Sequence, residues 1–420
     1  MRQETLTRLH QIIEPHEENS RALVDYDITI YSYGDLRLAL DDASTQFREN
    51  GVKAGDRVLL IVENSATAVA FILAASRTDA WVVLVNSRLT ETEITRLIAH
   101  ARPRIAIFAI DASDEARRHA QRANAITVAG RFGTVAISTL QPPNPEPVQE
   151  GRAQVAVMLY TTGTTGQPMG VMLTHGNLLF GSAVSGALRV MTHKDKLFAA
   201  SPITHVFGLA SVVMAGLRVG GCVHLCNRFS PRVLYQDLVR EGITVLPAVP
   251  QMHAALMQYL REQEVEWIEN HQLRYVSSGG APLDPAWKRA VEKFIGLPLQ
   301  NGYGLTETRA GVCATNTAEF TDDVSVGCKE PIVRSGFNVF PPEVEGNEEV
   351  IAFVQPAAGA HPDEATLKAH AASQLAGYKF PTMIIVQDKL PATATGKILK
   401  AELIGILDNG QINYYSPPLK

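Results

Sequence analysis

A chain of 420 residues, 46% hydrophobic and 19% charged, has the composition of a globular protein with enough apolar material for two or three packed domains. Its net charge of -5 and lack of any long basic run exclude an electrostatic footprint for nucleic acid. No uncharged apolar stretch approaches the roughly 18 residues of a membrane-spanning helix, and charges run through the start of the chain where a secretory leader would be apolar, so a cytoplasmic location is expected.

From residue 58 short apolar runs alternate with helical patterns: 58–62, then 66–77, then 81–85, then 91–101, then 105–110. β-branched runs of strand length separated by amphipathic stretches of helix length predict a parallel sheet covered on both faces. The next helix follows Ser113 and opens with Asp114 and Glu115, which suit the positive end of a helix dipole. Residues 141–150, rich in proline and without periodicity, read as an extended linker. A buried strand is predicted at 155–159, and one of Thr174, His175, Gly176 and Asn177 is expected to cap the helix that follows.

A second α/β rhythm occupies 197–299, with strands at 223–225 and 245–248 and helices at 232–241 and 251–261. Beyond Pro331 the pattern shortens to a strand at 350–354, a helix at 363–374 and a strand at 383–386. The tail 408–420, with Tyr414 and Tyr415, carries no readable element. The expected fold class is α/β: a large N-terminal domain of doubly wound sheets, residues 1–331, and a small mobile α+β C-terminal domain, residues 332–420. Four cysteines, Cys222, Cys226, Cys313 and Cys328, are too sparse for a disulfide framework, and Cys222-Val-His224-Leu-Cys226 reads as one buried strand face rather than a metal site.

The chemistry concentrates after the strand at 155–159. Residues 160–171 read Tyr-Thr-Thr-Gly-Thr-Thr-Gly-Gln-Pro-Met-Gly-Val. Thr161, Thr162, Thr164 and Thr165 supply hydroxyl donors, while Gly163, Gly166 and Gly170 let backbone amides turn toward an anion. Gly166 is followed by Gln167 rather than the Lys-Ser/Thr pair of a Walker A loop. A polar surface turn is the competing explanation for three glycines taken alone.

This loop resembles the phosphate-binding loop of the adenylate-forming superfamily, the acyl- and aryl-CoA synthetases and their relatives. Four further blocks carry the resemblance in the same order: residues 201–209 (Ser-Pro-Ile-Thr-His-Val-Phe-Gly-Leu), 278–282 (Ser-Gly-Gly-Ala-Pro), 301–308 (Asn-Gly-Tyr-Gly-Leu-Thr-Glu-Thr) and 391–400 (Pro-Ala-Thr-Ala-Thr-Gly-Lys-Ile-Leu-Lys). It reaches from the segment 31–36 to about residue 403. The resemblance implies activation of a carboxylic acid by ATP and Mg²⁺, then transfer of the acyl group to CoA. It makes His205, Val206, Phe207 and Gly279 the acyl pocket and Gly280, Ala281, Pro282, Asn301, Gly302, Tyr303 and Gly304 the adenine side. Thr306 would contact the α-phosphate, Glu307 would ligate the magnesium, and Lys397 would be the catalytic lysine. Arg334, Ser335 and Gly336 would flank the thiol of CoA. Val206, Phe207, Ala210, Val213 and Met214 suit a fatty or aromatic acid, and no basic residue in their segment answers a second carboxylate. A carrier protein as acceptor, or a nucleotide-binding relative without catalysis, remains the alternative.

Two departures stand out. Met169 occupies the place where the family usually has a lysine, and a thioether supplies no positive charge. Pro331 runs straight into Ile332, where the family has a long stretch carrying a ribose-binding aspartate, a phosphate-contacting arginine and an interdomain hinge, and the junction at Glu345 lacks the helix and strand expected before the apolar run 350–354. The expectation is a longer parent chain, and an intact mass of 45.7 kDa would show instead that the segments are truly deleted.

Overall fold

A computed structural model describes residues 6–140, 144–161, 169–308, 310–315, 318–322, 324–326, 332–334, 337–339, 351–354, 363–374 and 383–387. The chain divides into two compact units, residues 1–346 and 347–420.

The first unit begins with a buried 3-10 turn, Leu9–Ile13, and the antiparallel pair β1 (Arg21–Val24) and β2 (Ile30–Ser32). Ser32 caps α1 (Tyr33–Glu49) through the Asp35 amide, and Asp35 answers on the Ser32 amide at 2.9 Å, a reciprocal capping box. Then come β3 (Arg57–Val62), α2 (Ala66–Arg77), β4 (Trp81–Asn86), α3 (Glu91–Ala101), β5 (Ile105–Phe108) and α4 (Asp114–Arg122). Residues 66–76 are all buried, which fits a helix that is apolar on every side. A hairpin of β6 (Ile126–Gly130) and β7 (Gly133–Thr139) precedes the pair β8 (Val155–Thr161) and β9 (Met169–Thr174). Among the candidates for capping α5 (His175–Leu188), Thr174 does so, accepting from the Asn177 amide at 3.1 Å.

After β10 (Lys196–Ala199) the apolar run 207–214 forms a π-helix, which passes into α6 (Ala215–Arg218). The order continues β11 (Cys222–Leu225), α7 (Pro231–Arg240), β12 (Val245–Ala248), α8 (Pro250–Glu262), β13 (Tyr275–Gly279), α9 (Pro285–Ile295), β14 (Leu299–Leu305) and β15 (Ala310–Ala314).

Two sheets result, ordered β6-β7-β5-β3-β4-β8-β9 and β15-β14-β13-β12-β10-β11-β1-β2. The pairs among β5, β3, β4 and β8, and among β14, β13, β12, β10, β11 and β1, are parallel; the edge pairs are antiparallel. One core lies between the sheets and takes in α1, α2, α5 and the π-helix; α3 and α4 cover the outer face of the first sheet, and α7, α8 and α9 that of the second. The large sheet domain is therefore as expected in class. Its wiring is not sequential: β1 joins the second sheet beside β11, with Leu23 opposite Val223. Cys222 and Cys226 are buried free thiols raised to about 11 by burial, and Cys328 lies outside the described residues.

A short antiparallel pair, β16 (Ile332–Arg334) and β17 (Phe337–Val339), closes the described part of the first unit. In the second unit β18 (Ile351–Val354) runs parallel to β19 (Met383–Val386), with α10 (Glu364–Gln374) between them in sequence. Asp363 caps that helix by accepting the Thr366 amide at 2.7 Å. Among the described residues no helix is long and apolar enough to cross a membrane.

Candidate active site

The threonine-rich loop is framed by β8 and β9, which pair Tyr160 with Gly170 and Thr161 with Met169. Thr162, Gly163, Thr164, Thr165 and Gly166 lie outside the described residues. The strand before the loop is anchored by Tyr160, whose hydroxyl meets His100 Nδ1 at 2.7 Å and whose burial pushes the phenol up to about 12. Gly170 packs closely against the strand before the loop: a Cβ there would stand 2.9 Å from Met158 Sδ. Met169 is 56% exposed at the loop's exit.

β9 packs against the 3-10 turn Thr306–Thr308 at the end of β14. Thr308 closes that turn by accepting the Leu305 amide at 2.9 Å and donating to the Leu305 carbonyl at 3.0 Å. Thr306 is half-buried and the Glu307 carboxylate is exposed. The loop's frame and the Thr306–Glu307 pair thus meet at the carboxyl ends of parallel strands, where open α/β sheets place ligands.

β13 and β14 carry the glycine turn. Gly279 lies opposite Gly302, and a Cβ on Gly279 would come to 3.1 Å from the Gly302 carbonyl oxygen and 4.0 Å from Phe207 Cζ. Gly280 turns the chain at φ +81°, a conformation open to glycine, and Ala281 and Pro282 follow. Gly302, Tyr303 and Gly304 are half-buried along β14, with Tyr303 opposite Cys313. Asn301 is buried: its Nδ2 donates to the Val324 carbonyl and its backbone amide to Thr315 Oγ1 at 2.7 Å. That amide nitrogen is engaged within the fold, which leaves Asn301 a buttress of the strand as well as a candidate for the base edge.

The segment with His205, Val206 and Phe207 leads into the π-helix, a widened turn that recurs at functional sites. His205 is exposed, Val206 buried and Phe207 half-buried. Gly208 makes this possible: a Cβ there would sit 2.2 Å from the Pro202 carbonyl oxygen. Asn64, in the turn between β3 and α2 and 2% exposed, holds the same segment, donating to the carbonyls of Ala199 and Ser201 and accepting the Ile203 amide. Sequence reasoning missed Asn64, His100 and the π-helix; the only signal for Asn64 was a polar Glu63-Asn64-Ser65 run directly after a wholly apolar strand. Lys397, Ser335 and Gly336 lie outside the described residues, and Arg334 sits in β16 opposite Phe337. Both sequence junctions, at Pro331 and Glu345, also fall outside them.

The profile of the AMP-binding enzyme family matches residues 11–339, and that of the AMP-binding enzyme C-terminal domain matches 339–397. A feruloyl-CoA synthase of Amycolatopsis sp is 26% identical over 471 aligned residues, 89% of this chain and 94% of that protein. That span exceeds the 420 residues here, so the relative carries segments this chain lacks. A 2-succinylbenzoate–CoA ligase of Geobacillus kaustophilus is 27% identical, covering 84% of this chain and 88% of its own. Among solved structures, apo MatB from Rhodopseudomonas palustris superposes with a TM-score of 0.65 at 22% identity, over 96% of this chain and 99% of that one. A benzoate CoA ligase from Burkholderia xenovorans LB400 gives 0.65 at 18%, over 95% and 100%. These two likenesses bear on the fold alone, which they share throughout. With three quarters of its length under the first profile and the second following directly, the chain belongs to the AMP-binding enzyme family.

Proposed function

We propose that the protein is an AMP-forming acid–thiol ligase: it joins a carboxylic acid to the α-phosphate of ATP, expelling pyrophosphate, and then transfers the acyl group to CoA with release of AMP. The observation that carries this reading is the packing of β9, the exit strand of the threonine-rich loop, against the Thr306–Thr308 turn. It brings the strand leaving the loop and the exposed Glu307 carboxylate to one edge of the fold. Feruloyl, 2-succinylbenzoyl and 4-coumaroyl activities among the relatives favour an aromatic acid, and the Phe207 ring beside Gly279 suits one.

In the first half-reaction a carboxylate oxygen attacks the α-phosphorus and the bond to the β-phosphate bridging oxygen breaks. Negative charge builds on the phosphoryl oxygens, and groups already aimed at them lower the barrier most. The Thr306 hydroxyl and the loop threonines are the donors in this reading, and the Lys397 ammonium bridges acid and phosphate. The side chains here fit a magnesium ion held chiefly by the nucleotide: among the described residues no cluster of three or more His, Cys, Asp or Glu forms a resident site, and Glu307 offers one exposed carboxylate. When bound, Mg²⁺ neutralises charge on the departing pyrophosphate. The glycines at 302 and 304 let the backbone pass close to a flat base in this reading, and Tyr303 lies between them. In the second half-reaction the CoA thiolate attacks the acyl carbon and AMP departs, with Arg334, Ser335 and Gly336 beside the thiol. ATP and CoA as substrates suit a cytoplasmic protein.

The exposed Met169 favours one second reading, a nucleotide-binding relative with an impaired first step. Pyrophosphate release, measured with aryl and fatty acids and with or without CoA, separates the two. Release with at least one acid, and CoA-dependent AMP formation, support the ligase. Lys397→Ala is expected to abolish acyl-adenylate formation while preserving thiolation of preformed acyl-adenylate; unchanged pyrophosphate release removes Lys397 from the mechanism.

A further inference from the structure

Helix α9 turns Lys288, Val291, Glu292 and Ile295 inward, the spacing at which a surface helix buries apolar side chains. Two of these residues are charged. Lys288 is 2% exposed and Glu292 5%, and they pair within the helix at 2.9 Å. Taking both charges out of water costs about as much as their attraction returns, so apolar residues at the same positions would serve stability as well. The further bonds of the pair give it another use.

Glu292 Oε1 accepts the Leu299 amide at 2.9 Å, which ties α9 to the first residue of β14. Lys288 Nζ donates to the Thr321 carbonyl, in the chain beyond β15. The pair therefore joins β14 to that stretch. Asn301, two residues along β14 from Leu299, joins the same two elements again by donating from Nδ2 to the Val324 carbonyl. Arg289 adds an ion pair to Asp322 at 2.9 Å, but both side chains are exposed and the pair holds the stretch only weakly.

A carbonyl oxygen only accepts, so the Val324 contact draws the nitrogen of the Asn301 amide and leaves Oδ1 as the unused atom. Asn301 Oδ1 meets no donor among the described residues and is not sealed from solvent. An acceptor fixed in this way answers the 6-amino group of adenine and opposes the 6-oxo group of hypoxanthine or guanine.

We infer that Lys288 is a positioning residue for base selectivity: by holding Thr321 it sets the Val324 carbonyl that orients the Asn301 amide, and the site takes a 6-amino purine nucleotide in preference to a 6-oxo one. This rests on the ligase reading above, with Asn301 at the base edge, and extends it to a residue that acts only through others.

The test compares ATP with ITP, whose base carries a 6-oxo group and an N1 proton in place of the 6-amino group, by pyrophosphate release. Wild type is expected to favour ATP by about 100-fold in kcat/KM. The double variant Lys288→Met, Glu292→Gln removes both charges and keeps an acceptor for the Leu299 amide. It is expected to unfold at a denaturant midpoint near that of wild type, to keep kcat at saturating ATP, and to lower the ATP-to-ITP ratio by about 10-fold through KM for ATP. Lys288→Arg, which keeps the charge and the donor, should retain more of the ratio. Coupling between two sites is reciprocal, so in wild type ATP should slow amide hydrogen exchange in residues 318–326 more than ITP does, a readout that needs no variant. A ratio unmoved in the folded double variant, or equal protection of 318–326 by the two nucleotides at saturation, overturns the role of Lys288 and leaves the ligase intact. No wild-type preference for ATP overturns Asn301 at the base edge and this inference with it. No pyrophosphate release with either nucleotide and any acid overturns the ligase reading as well.

Discussion

Asn64 Oδ1 accepts the backbone amide of Ile203 at 2.6 Å, and the same side chain donates from Nδ2 to the carbonyls of Ala199 and Ser201 at 2.9 and 3.1 Å. A residue in the turn after β3, in the first sheet, thus sets the path of the segment that carries His205 beyond β10, in the second. Asn64→Ala removes all three bonds from a buried site, and each group left unpaired costs about 1–3 kcal/mol. The expected result is a clear drop in the denaturant midpoint together with a rise in KM for the acid that exceeds any fall in kcat. An unchanged KM removes Asn64 from positioning the pocket.

Two glycines test whether close approach, rather than flexibility, explains their presence. An alanine Cβ at Gly208 meets the Pro202 carbonyl at 2.2 Å, which only backbone movement relieves, while at Gly279 the nearest atom is 3.1 Å away. Gly208→Ala is expected to destabilise by about 3 kcal/mol and Gly279→Ala by about 1 kcal/mol. Gly279→Ala should nonetheless raise the KM for acid or ATP more, since its Cβ would stand against the Phe207 ring. Chemical unfolding and steady-state kinetics on the two variants check the crossing of effects.

Placing a cation at the loop's exit is a gain-of-function experiment. Met169 is 56% exposed, so Met169→Lys should change stability by no more than about 0.5 kcal/mol. If the loop holds the triphosphate, the new charge should improve kcat/KM for ATP by about 5-fold at low salt and by less at high salt. Kinetics indifferent to both the substitution and ionic strength would separate residue 169 from the phosphates.

Buried ionisable groups give the stability curve opposing slopes. His253 donates from Nε2 to the Ser277 carbonyl at 3.2 Å, and burial lowers it to about 4; His175, whose Nδ1 accepts the Leu9 amide at 3.2 Å, falls to about 3. Both are neutral in the fold, so their contribution is fully present above the unfolded value of 6.5 and is lost as pH falls toward 4 and 3. Asp25 runs the other way. Its carboxyl is raised to about 7 by burial despite accepting from the Tyr26 and Ala66 amides, so its contribution is present below 3.8 and is lost as pH rises through 7. Urea midpoints from pH 4 to 8 should show His253→Gln weakening the acid-side loss and Asp25→Asn weakening the loss on the approach to pH 7.

The parallel strands were legible because burial on both faces leaves an unbroken apolar run. The readings 58–62 and 81–85 fall inside Arg57–Val62 and Trp81–Asn86, and 66–77 and 91–101 coincide with Ala66–Arg77 and Glu91–Ala101. The short Arg21–Val24 strand had no such signature, since what stabilises it is pairing with β11 far along the chain. The π-helix was invisible for a different reason: in a run apolar on all sides no period distinguishes one helical pitch from another.

The seat of β1 beside β11 has a consequence for anyone recombining this protein with its relatives. Exchanging the second sheet by swapping only residues beyond the proline-rich linker would strip a native neighbour from β11 and present a foreign one, or a bare hydrogen-bonding edge open to aggregation. Residues 21–32 must travel with 196–314, because inheritance along the polypeptide and membership of a sheet do not coincide here.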